Sequence, residues 1–95
     1  MAHELYHISH SAGARRAIRL ARANLIAENA FVLEMMRVEL NAHRYELEYR
    51  LRRNPSYKPQ FDYAKMNVYD FWKSDMGEAY DRLYRQMYED LTPKQ

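Results

Sequence analysis

The stretch ARRAIRLARANLIAENAFVLEMMRVELNAHRYELEYRLRR, residues 14–53, decides the fold predicted for this chain. It contains no glycine and no proline, and it is rich in alanine, leucine, arginine and glutamate, which are good helix formers. Its apolar side chains recur at helical spacing at Ile18, Leu25, Val32, Leu33, Met36, Leu40, Leu47 and Leu51. The stretch therefore predicts one long helix, or two helices joined by a kink near residues 24–29.

The flanking residues predict how this helix is bounded. On its N-terminal side, residues 2–10 have the pattern of a short helix, which serines and a glycine then interrupt. On its C-terminal side, Asn54 precedes Pro55, and the residue before a proline is pushed out of helical backbone. We therefore expect the long helix to end there and residues 54–61 to form a loop.

Two shorter helices are expected in the C-terminal third. One is predicted over residues 62–73, and a second begins near Asp75, which has Glu78 at the spacing of a capping box. The second helix would end at Thr92, before a proline, with Ala79, Leu83, Met87 and Leu91 on its apolar stripe. The predicted fold class is all-α, with a short N-terminal helix, a long helix and two shorter C-terminal helices.

Length and composition limit the classes of protein to which the chain can belong. Its 95 residues suffice for one helical domain, in which residues 56–95 contribute an aromatic helical pair. Cysteine is absent, so any metal must be bound by histidine and carboxylate side chains. No apolar run approaches the roughly 20 residues of a membrane span, and no signal peptide is evident. We therefore expect a cytoplasmic protein without a membrane partner.

One segment of the long stretch is strongly basic. Arg15, Arg16, Arg19 and Arg22 follow one another closely. Such a segment can contact nucleic acid through phosphates, but a solvated helix face is the commoner explanation. The net charge of +2 does not demand an anionic partner, so nucleic acid is not expected among the partners.

The N-terminal residues carry the clearest chemical pattern, His3-Glu4-Leu5-Tyr6-His7. On a helix, His3 and His7 share one face a turn apart, where both imidazoles can bind one Zn²⁺ ion. Glu4 then lies beside the metal, where it can take a proton from the attacking water as general base. The pattern predicts a zinc-dependent hydrolase, although two surface histidines on a terminal helix that binds no metal would give the same sequence pattern.

A catalytic zinc site needs a third protein ligand, and the long helix offers candidates. Glu28, Glu39 and Glu46 are 11 and 7 residues apart, which is close to whole turns at about 100° per residue. Val32, Met35, Ala42 and His43 share their face. A stripe that mixes apolar residues with carboxylates suits neither a solvated surface nor a core, unless a metal or nearby arginines pair with the carboxylates.

These two segments together resemble gluzincin metallopeptidases, in particular the small phage-associated and regulatory enzymes of the ImmA/IrrE type. The first segment is His-Glu-Leu-Tyr-His-Ile-Ser-His at residues 3–10. In the second, Glu39 is followed by Ala42 and Tyr45, and then by a leucine-rich end before Pro55. This pattern is similar to the family's ligand helix. The resemblance covers roughly residues 2–55 and implies the helical half of a zincin-like domain.

The resemblance implies the third zinc ligand, and two further residues of the same helix are candidates to support the metal site. Glu39 would be the third zinc ligand, with His3 and His7, while the longer spacing found in larger gluzincins such as thermolysin would favour Glu28 instead. Glu46 is placed to accept a hydrogen bond from a ligand imidazole and fix its tautomer. His43 is the second residue expected to lie beside the metal ligands. It follows Glu39 by one turn, and the two form a Glu-x-x-x-His pair that is an alternative metal-binding pattern.

The sequence is therefore compatible with two functions. The first is a zinc metallopeptidase that acts on a peptide or protein substrate; the alternative is a non-enzymatic helical interaction module with a relic or accidental motif. Related domains carry a small sheet upstream of the metal helix, whereas the motif here begins at residue 3. We therefore expect the chain to be a fragment or a reduced domain that binds metal but is weakly active. An upstream domain or a partner protein would then cover the surface against which related domains pack their sheet.

Overall fold

The computed structural model describes residues 12–94, and within that range it contains helices and no strand. The helices are α1 (Ala12–Arg22), α2 (Glu28–Arg53), α3 (Val68–Lys73) and α4 (Asp75–Leu91). The predicted all-α class is confirmed. The short helix expected over residues 2–10 lies outside the described residues.

The predicted kink in the long stretch is a complete break between α1 and α2. Asn24 has a φ of 58°, a left-handed conformation that asparagine tolerates better than most residues. The Leu25 amide donates to the Leu20 carbonyl at 2.8 Å, and the Asn24 amide donates to the Ala21 carbonyl at 3.0 Å. These two bonds form a Schellman motif, which satisfies the last carbonyls of α1 and reverses the chain.

Helix α2 is the centre of the fold, because α1, α3 and α4 all pack against it. Its largest fully buried side chains are Phe31, Val32 and Met36, and Phe71 of α3 joins them in the core. The helix ends at Arg53 with Asn54 as its cap, as Asn54-Pro55 predicted. None of the helices in the described part of the chain is long and apolar enough to cross a membrane.

Helix α3 begins later than predicted, and helix α4 begins at a cap other than the predicted one. Helix α3 starts only at Val68, because the Asn67 side chain accepts a hydrogen bond from the Asp70 amide. Helix α4 starts at Asp75 as expected, but its cap is Ser74, which accepts from the Gly77 amide at 3.1 Å. The expected pairing of Asp75 with Glu78 is therefore not the capping interaction.

The core face of α4 also differs from the predicted stripe. Ala79 is exposed and Leu83 is 55% exposed, whereas Tyr84 is 6% exposed. Tyr80 and Met87 are half-buried beside it. Tyrosine occupies this face because its hydroxyl can donate to polar groups of α2, which alanine and leucine cannot do.

The segment between α2 and α3 is irregular and is held by one arginine of α2. Arg44 donates from Nε to the Tyr63 carbonyl at 2.8 Å and from Nη2 to the Met66 carbonyl at 2.5 Å. A guanidinium fork can bind two carbonyls at once, so Arg44 fixes the end of this segment over α2.

Helix α4 is connected to its neighbours by polar side chains at two further places. The indole of Trp72 on α3 donates to Asp81 at 2.8 Å, which fixes the corner between α3 and α4. Tyr88 donates to the Ile26 carbonyl at 2.7 Å and so binds the connection between α1 and α2.

Candidate functional site

A carboxylate lies in the middle of the helical core. Among residues 12–94, Glu39 is the one charged residue in the buried class, with 4% of its surface exposed. Burial of a carboxylate is costly unless hydrogen bonds or a cation compensate for the lost water. Tyr84 of α4 supplies one such bond, because its hydroxyl donates to Oε1 of Glu39.

The two tyrosines beside Glu39 are held in their protonated form. Burial raises the pKa of Tyr84, and its hydrogen bond to Glu39 raises it further. Burial, followed by the negative charge of Glu39, raises the pKa of Tyr80 to about 12. Their rings are stacked, with centroids 6.1 Å apart. Both hydroxyls therefore remain hydrogen-bond donors near neutral pH.

His43 lies one turn after Glu39 and is surrounded by aromatic rings. Its imidazole stacks on Tyr63 with ring centroids 4.9 Å apart and contacts Phe71 at 5.7 Å. Nε2 lies 3.5 Å from the Tyr80 hydroxyl. Rings on several sides therefore fix the orientation of this imidazole.

Glu46 continues the same face of α2 and borders an open cleft. Its Oε1 accepts from Nη2 and Nε of Arg50 at 2.9 and 3.1 Å. The cleft has a volume of about 260 Å³. Its wall includes His43, Glu46, Leu47, Phe61, Tyr63 and Met76. His43 therefore borders the cleft on one side and approaches Tyr80 on the other.

Glu28, the alternative third ligand, lies apart from this cluster. It is the first residue of α2, about 16 Å from Glu39 along the helix at a rise of about 1.5 Å per residue. Arg85 of α4 binds it at 2.6 Å, and its side chain is 42% exposed. One metal ion cannot bind both glutamates, and the partner of Glu28 is Arg85 of α4 rather than an arginine close to it in the sequence.

The remaining predicted site residues, His3, Glu4 and His7, lie outside the described residues. Within the described range 12–94, no group of three or more histidine, cysteine, aspartate or glutamate side chains could hold a metal. A metal ion at Glu39 would therefore need ligands from the rest of the chain or from another molecule.

Sequence reasoning did not assign roles to the tyrosines that surround the cluster. A signal was present, because Tyr80, Tyr84 and Tyr88 recur every four residues and so share one face of a helix. Comparison of the chain with protein-family models, curated proteins and solved structures found no match.

Proposed function

We propose that this chain is a zinc-binding domain of the gluzincin metallopeptidase type. In this proposal His3, His7 and Glu39 bind Zn²⁺, and Glu4 is the general base. The observation that carries it is the burial of Glu39, at the position that the resemblance assigns to the third ligand.

The surroundings of Glu39 suit a metal-binding carboxylate. A carboxylate that binds a metal is commonly held by a hydrogen bond from a neighbouring side chain, which orients it. Tyr84 makes such a bond from α4, and the raised pKa of Tyr84 keeps its proton in place. A structural glutamate that served packing alone would be more stably replaced by an apolar side chain of similar size.

The start of α1 brings the motif within reach of Glu39. A Cβ atom added to Gly13 would lie 3.6 Å from Cγ2 of Val38, the residue before Glu39. His7 precedes Gly13 by six residues, which can span at most about 20 Å. Gly13 thus lies beside the part of α2 that carries Glu39, and this chain length is compatible with a site shared by His7 and Glu39.

The chemistry follows from the residue types. Zinc supplies a Lewis acid that polarises a carbonyl group and lowers the pKa of water. Glu4 would take the proton from that water and later pass it to the leaving amine. Tyr80, whose pKa is raised to about 12, is a protonated donor beside His43 and is our candidate for stabilising negative charge on the substrate.

The cleft beside His43 fits one part of a peptide substrate. Its wall combines apolar side chains, among them Leu47, Phe61 and Met76, with the charged groups of Glu46 and Arg50. A cavity of about 260 Å³ is close to the lower end of the usual range for ligand sites, about 300–1,000 Å³. We therefore propose that it receives one apolar side chain of the substrate.

The direct test is metal analysis of the wild-type chain, purified without chelators and then offered zinc. One zinc per chain is expected. Glu39→Gln should lower zinc affinity at least about tenfold, because it removes a ligand charge while keeping the acceptor for Tyr84. Glu28→Gln is the matched control on the same helix and should change the affinity little. A folded wild type that stays free of zinc, or a larger loss at Glu28, would contradict the proposal.

Activity separates metal binding from catalysis. Glu4→Gln should retain zinc and lose hydrolysis of unstructured peptides, because the general base is not a ligand. Loss of zinc in Glu4→Gln would show that this assignment of roles is wrong.

A non-enzymatic interaction module is the second candidate, and exposed apolar side chains favour it. Leu25 is 72% exposed, Tyr69 is 56% exposed and Leu83 is 55% exposed. Exposed apolar side chains suit contacts with a protein partner where they form a continuous patch. The zinc measurement decides between the candidates, since this module needs no metal at Glu39.

A further inference from the structure

The arginines of this protein fall into two groups that differ in their neighbours. Five arginines of α2 and α4 follow an acidic residue by three or four positions and pair with it, whereas Arg44 and Arg53 of α2 donate to carbonyl and tyrosine oxygens. These pairs are Glu34–Arg37, Glu46–Arg50, Glu48–Arg52, Glu78–Arg82 and Asp81–Arg85. Helix α1, AGARRAIRLAR, has four arginines and no acidic residue.

The four arginines form the exposed face of α1. Ala17 and Ala21 are 1% and 0% exposed, so the opposite face is in the core. Arg15, Arg19 and Arg22 are spaced by four and three residues and therefore form one stripe, with Arg16 at its edge. All four are exposed, and within residues 12–94 none of them forms an ion pair.

The net positive charge of the chain resides in this helix. The chain has 15 basic and 13 acidic residues. Four basic residues and none of the acidic ones are in α1, so the rest of the chain has 11 basic against 13 acidic residues. Helix α1 thus carries a formal charge of +4, and the rest of the chain carries −2. Solubility alone does not require that positive charge be concentrated on one helix.

Helix stability does not account for this arrangement. Arg19 and Arg22 in the last turn are favourable, because the C-terminal end of a helix carries partial negative charge. Arg15 and Arg16, however, lie near the positive N-terminal end, and Arg15 repels Arg19 one turn away. The stripe as a whole therefore costs stability in the isolated chain and suits an anionic partner.

We propose, in contrast to the expectation from net charge alone, that the arginine face of α1 binds the phosphate backbone of double-helical nucleic acid without sequence preference. The guanidinium fork binds phosphate oxygens in pairs. The stripe is about 10 Å long at a rise of about 1.5 Å per residue. A duplex carries one charge per about 1.7 Å of its axis, so roughly six phosphates lie along such a length.

The composition of α1 favours a duplex over other anions. Its sequence contains no aromatic residue, and stacking of bases on aromatic side chains is the main attraction for single strands. Its apolar face is buried against α2, so the helix cannot insert that face into a lipid surface. Protein interfaces have apolar or aromatic centres, and the exposed side of α1 is entirely arginine, alanine and glycine.

The experiment measures binding of the full chain to a fluorescently labelled duplex of about 20 base pairs across a range of salt concentrations. The wild type should bind DNA and RNA duplexes of unrelated sequence with similar affinity, in the range of about 10⁻⁶ to 10⁻⁴ M. The logarithm of the binding constant should fall with the logarithm of salt concentration with a slope of about −3.

The variant Arg15→Gln/Arg19→Gln/Arg22→Gln should bind the duplex at least about tenfold more weakly. The slope of its salt dependence should be less negative than that of the wild type by about three. The matched control is Arg37→Gln/Arg52→Gln/Arg82→Gln, which removes the same charge from paired arginines of α2 and α4. The control should lose less than about threefold. Circular dichroism of both variants checks the fold, and the single variant Arg15→Gln replaces the triple variant if that one unfolds.

Three outcomes would overturn the proposal. The first is a wild type that shows no salt-dependent duplex binding, and the second is an equal loss in the two triple variants. The third is arginine-dependent binding to vesicles rich in phosphatidylserine, or to a single strand, that is tighter than binding to the duplex. Zinc content is measured in parallel and should be the same in all three proteins, so this proposal fails or survives independently of the proposed metal site.

Discussion

Tyr84 of α4 donates a hydrogen bond to the carboxylate of Glu39, a residue of α2 that is 45 positions away in the chain. Both residues are buried, with 6% and 4% of their surfaces exposed. The bond therefore joins two helices through the core and sets their register. It also gives the buried carboxylate a donor that does not depend on solvent.

Replacement of Tyr84 by phenylalanine should destabilise the fold by about 1–3 kcal/mol, because it leaves a buried carboxylate without this donor. The free energy of unfolding in urea measures the effect. Tyr69→Phe is the matched control, since Tyr69 is 56% exposed on α3. A Tyr84→Phe protein as stable as the control would mean that the bond contributes nothing to the folded state.

Stability should also decline in alkaline solution. The pKa of Tyr80 is raised from 10.0 to about 12, so the folded state holds this proton more tightly than the unfolded state does. The resulting stabilisation is fully present below about pH 10 and is lost as the pH rises through about 12. The raised pKa of Tyr84 acts in the same direction.

Urea unfolding at about pH 9 and about pH 11 tests this linkage. The loss of stability between the two pH values should be smaller in Tyr80→Phe than in the wild type. Tyr69→Phe should retain the wild-type dependence. Equal losses in all three proteins would show that Tyr80 does not couple folding to pH.

Replacement of each of the two glycines by alanine should change the stability of the protein in opposite directions. A Cβ atom at Gly77 would lie 2.0 Å from the Phe71 carbonyl oxygen and 2.6 Å from that of Trp72. Since backbone atoms cannot move aside easily, Gly77→Ala should destabilise the protein by about 1–3 kcal/mol. At Gly13 the contact within the described residues is with a methyl group of Val38, at 3.6 Å, and Gly13→Ala should stabilise α1 by about 0.5–1 kcal/mol. Thermal unfolding of the two variants provides the comparison, and a shift of the same sign in both would contradict it.

Arg44→Lys should loosen the segment between α2 and α3. Lysine keeps the charge but lacks the fork that binds the carbonyls of Tyr63 and Met66. The expected loss is about 1–2 kcal/mol, together with faster proteolytic cleavage within residues 54–67. Arg37→Lys, on an exposed face of the same helix, is the control. Unchanged cleavage in Arg44→Lys would show that the segment is held by other contacts.

The helices were predictable where a local signal is strong. The absence of glycine and proline over residues 14–53, followed by Asn54-Pro55, is enough to place α2 and its end. The start of α3 was not predictable in this way, because the Asn67 side chain competes for the helix backbone and delays the first turn to Val68. The pattern of apolar residues also misplaced the core face of α4, since it gave tyrosine too little weight.

The candidate site was predictable only in part. The mixed stripe on α2 indicated that Glu39 has an unusual environment, and its burial agrees with that expectation. Its bond to Tyr84 depends on how two distant helices are aligned, which no local pattern encodes. The roles of His3, Glu4 and His7 remain predictions that the zinc measurements test.

Trp72 gives this protein a built-in optical reporter. It is the chain's sole tryptophan, and its indole N–H is bound to Asp81 at the corner between α3 and α4. Tryptophan emission shifts when the indole gains or loses solvent, so intrinsic fluorescence follows the opening of this corner. Far-ultraviolet circular dichroism, by contrast, is dominated by α2 because that is the longest helix in the described part of the chain. If the two signals change at different denaturant concentrations, the corner opens separately from the central helix, and unfolding is not two-state.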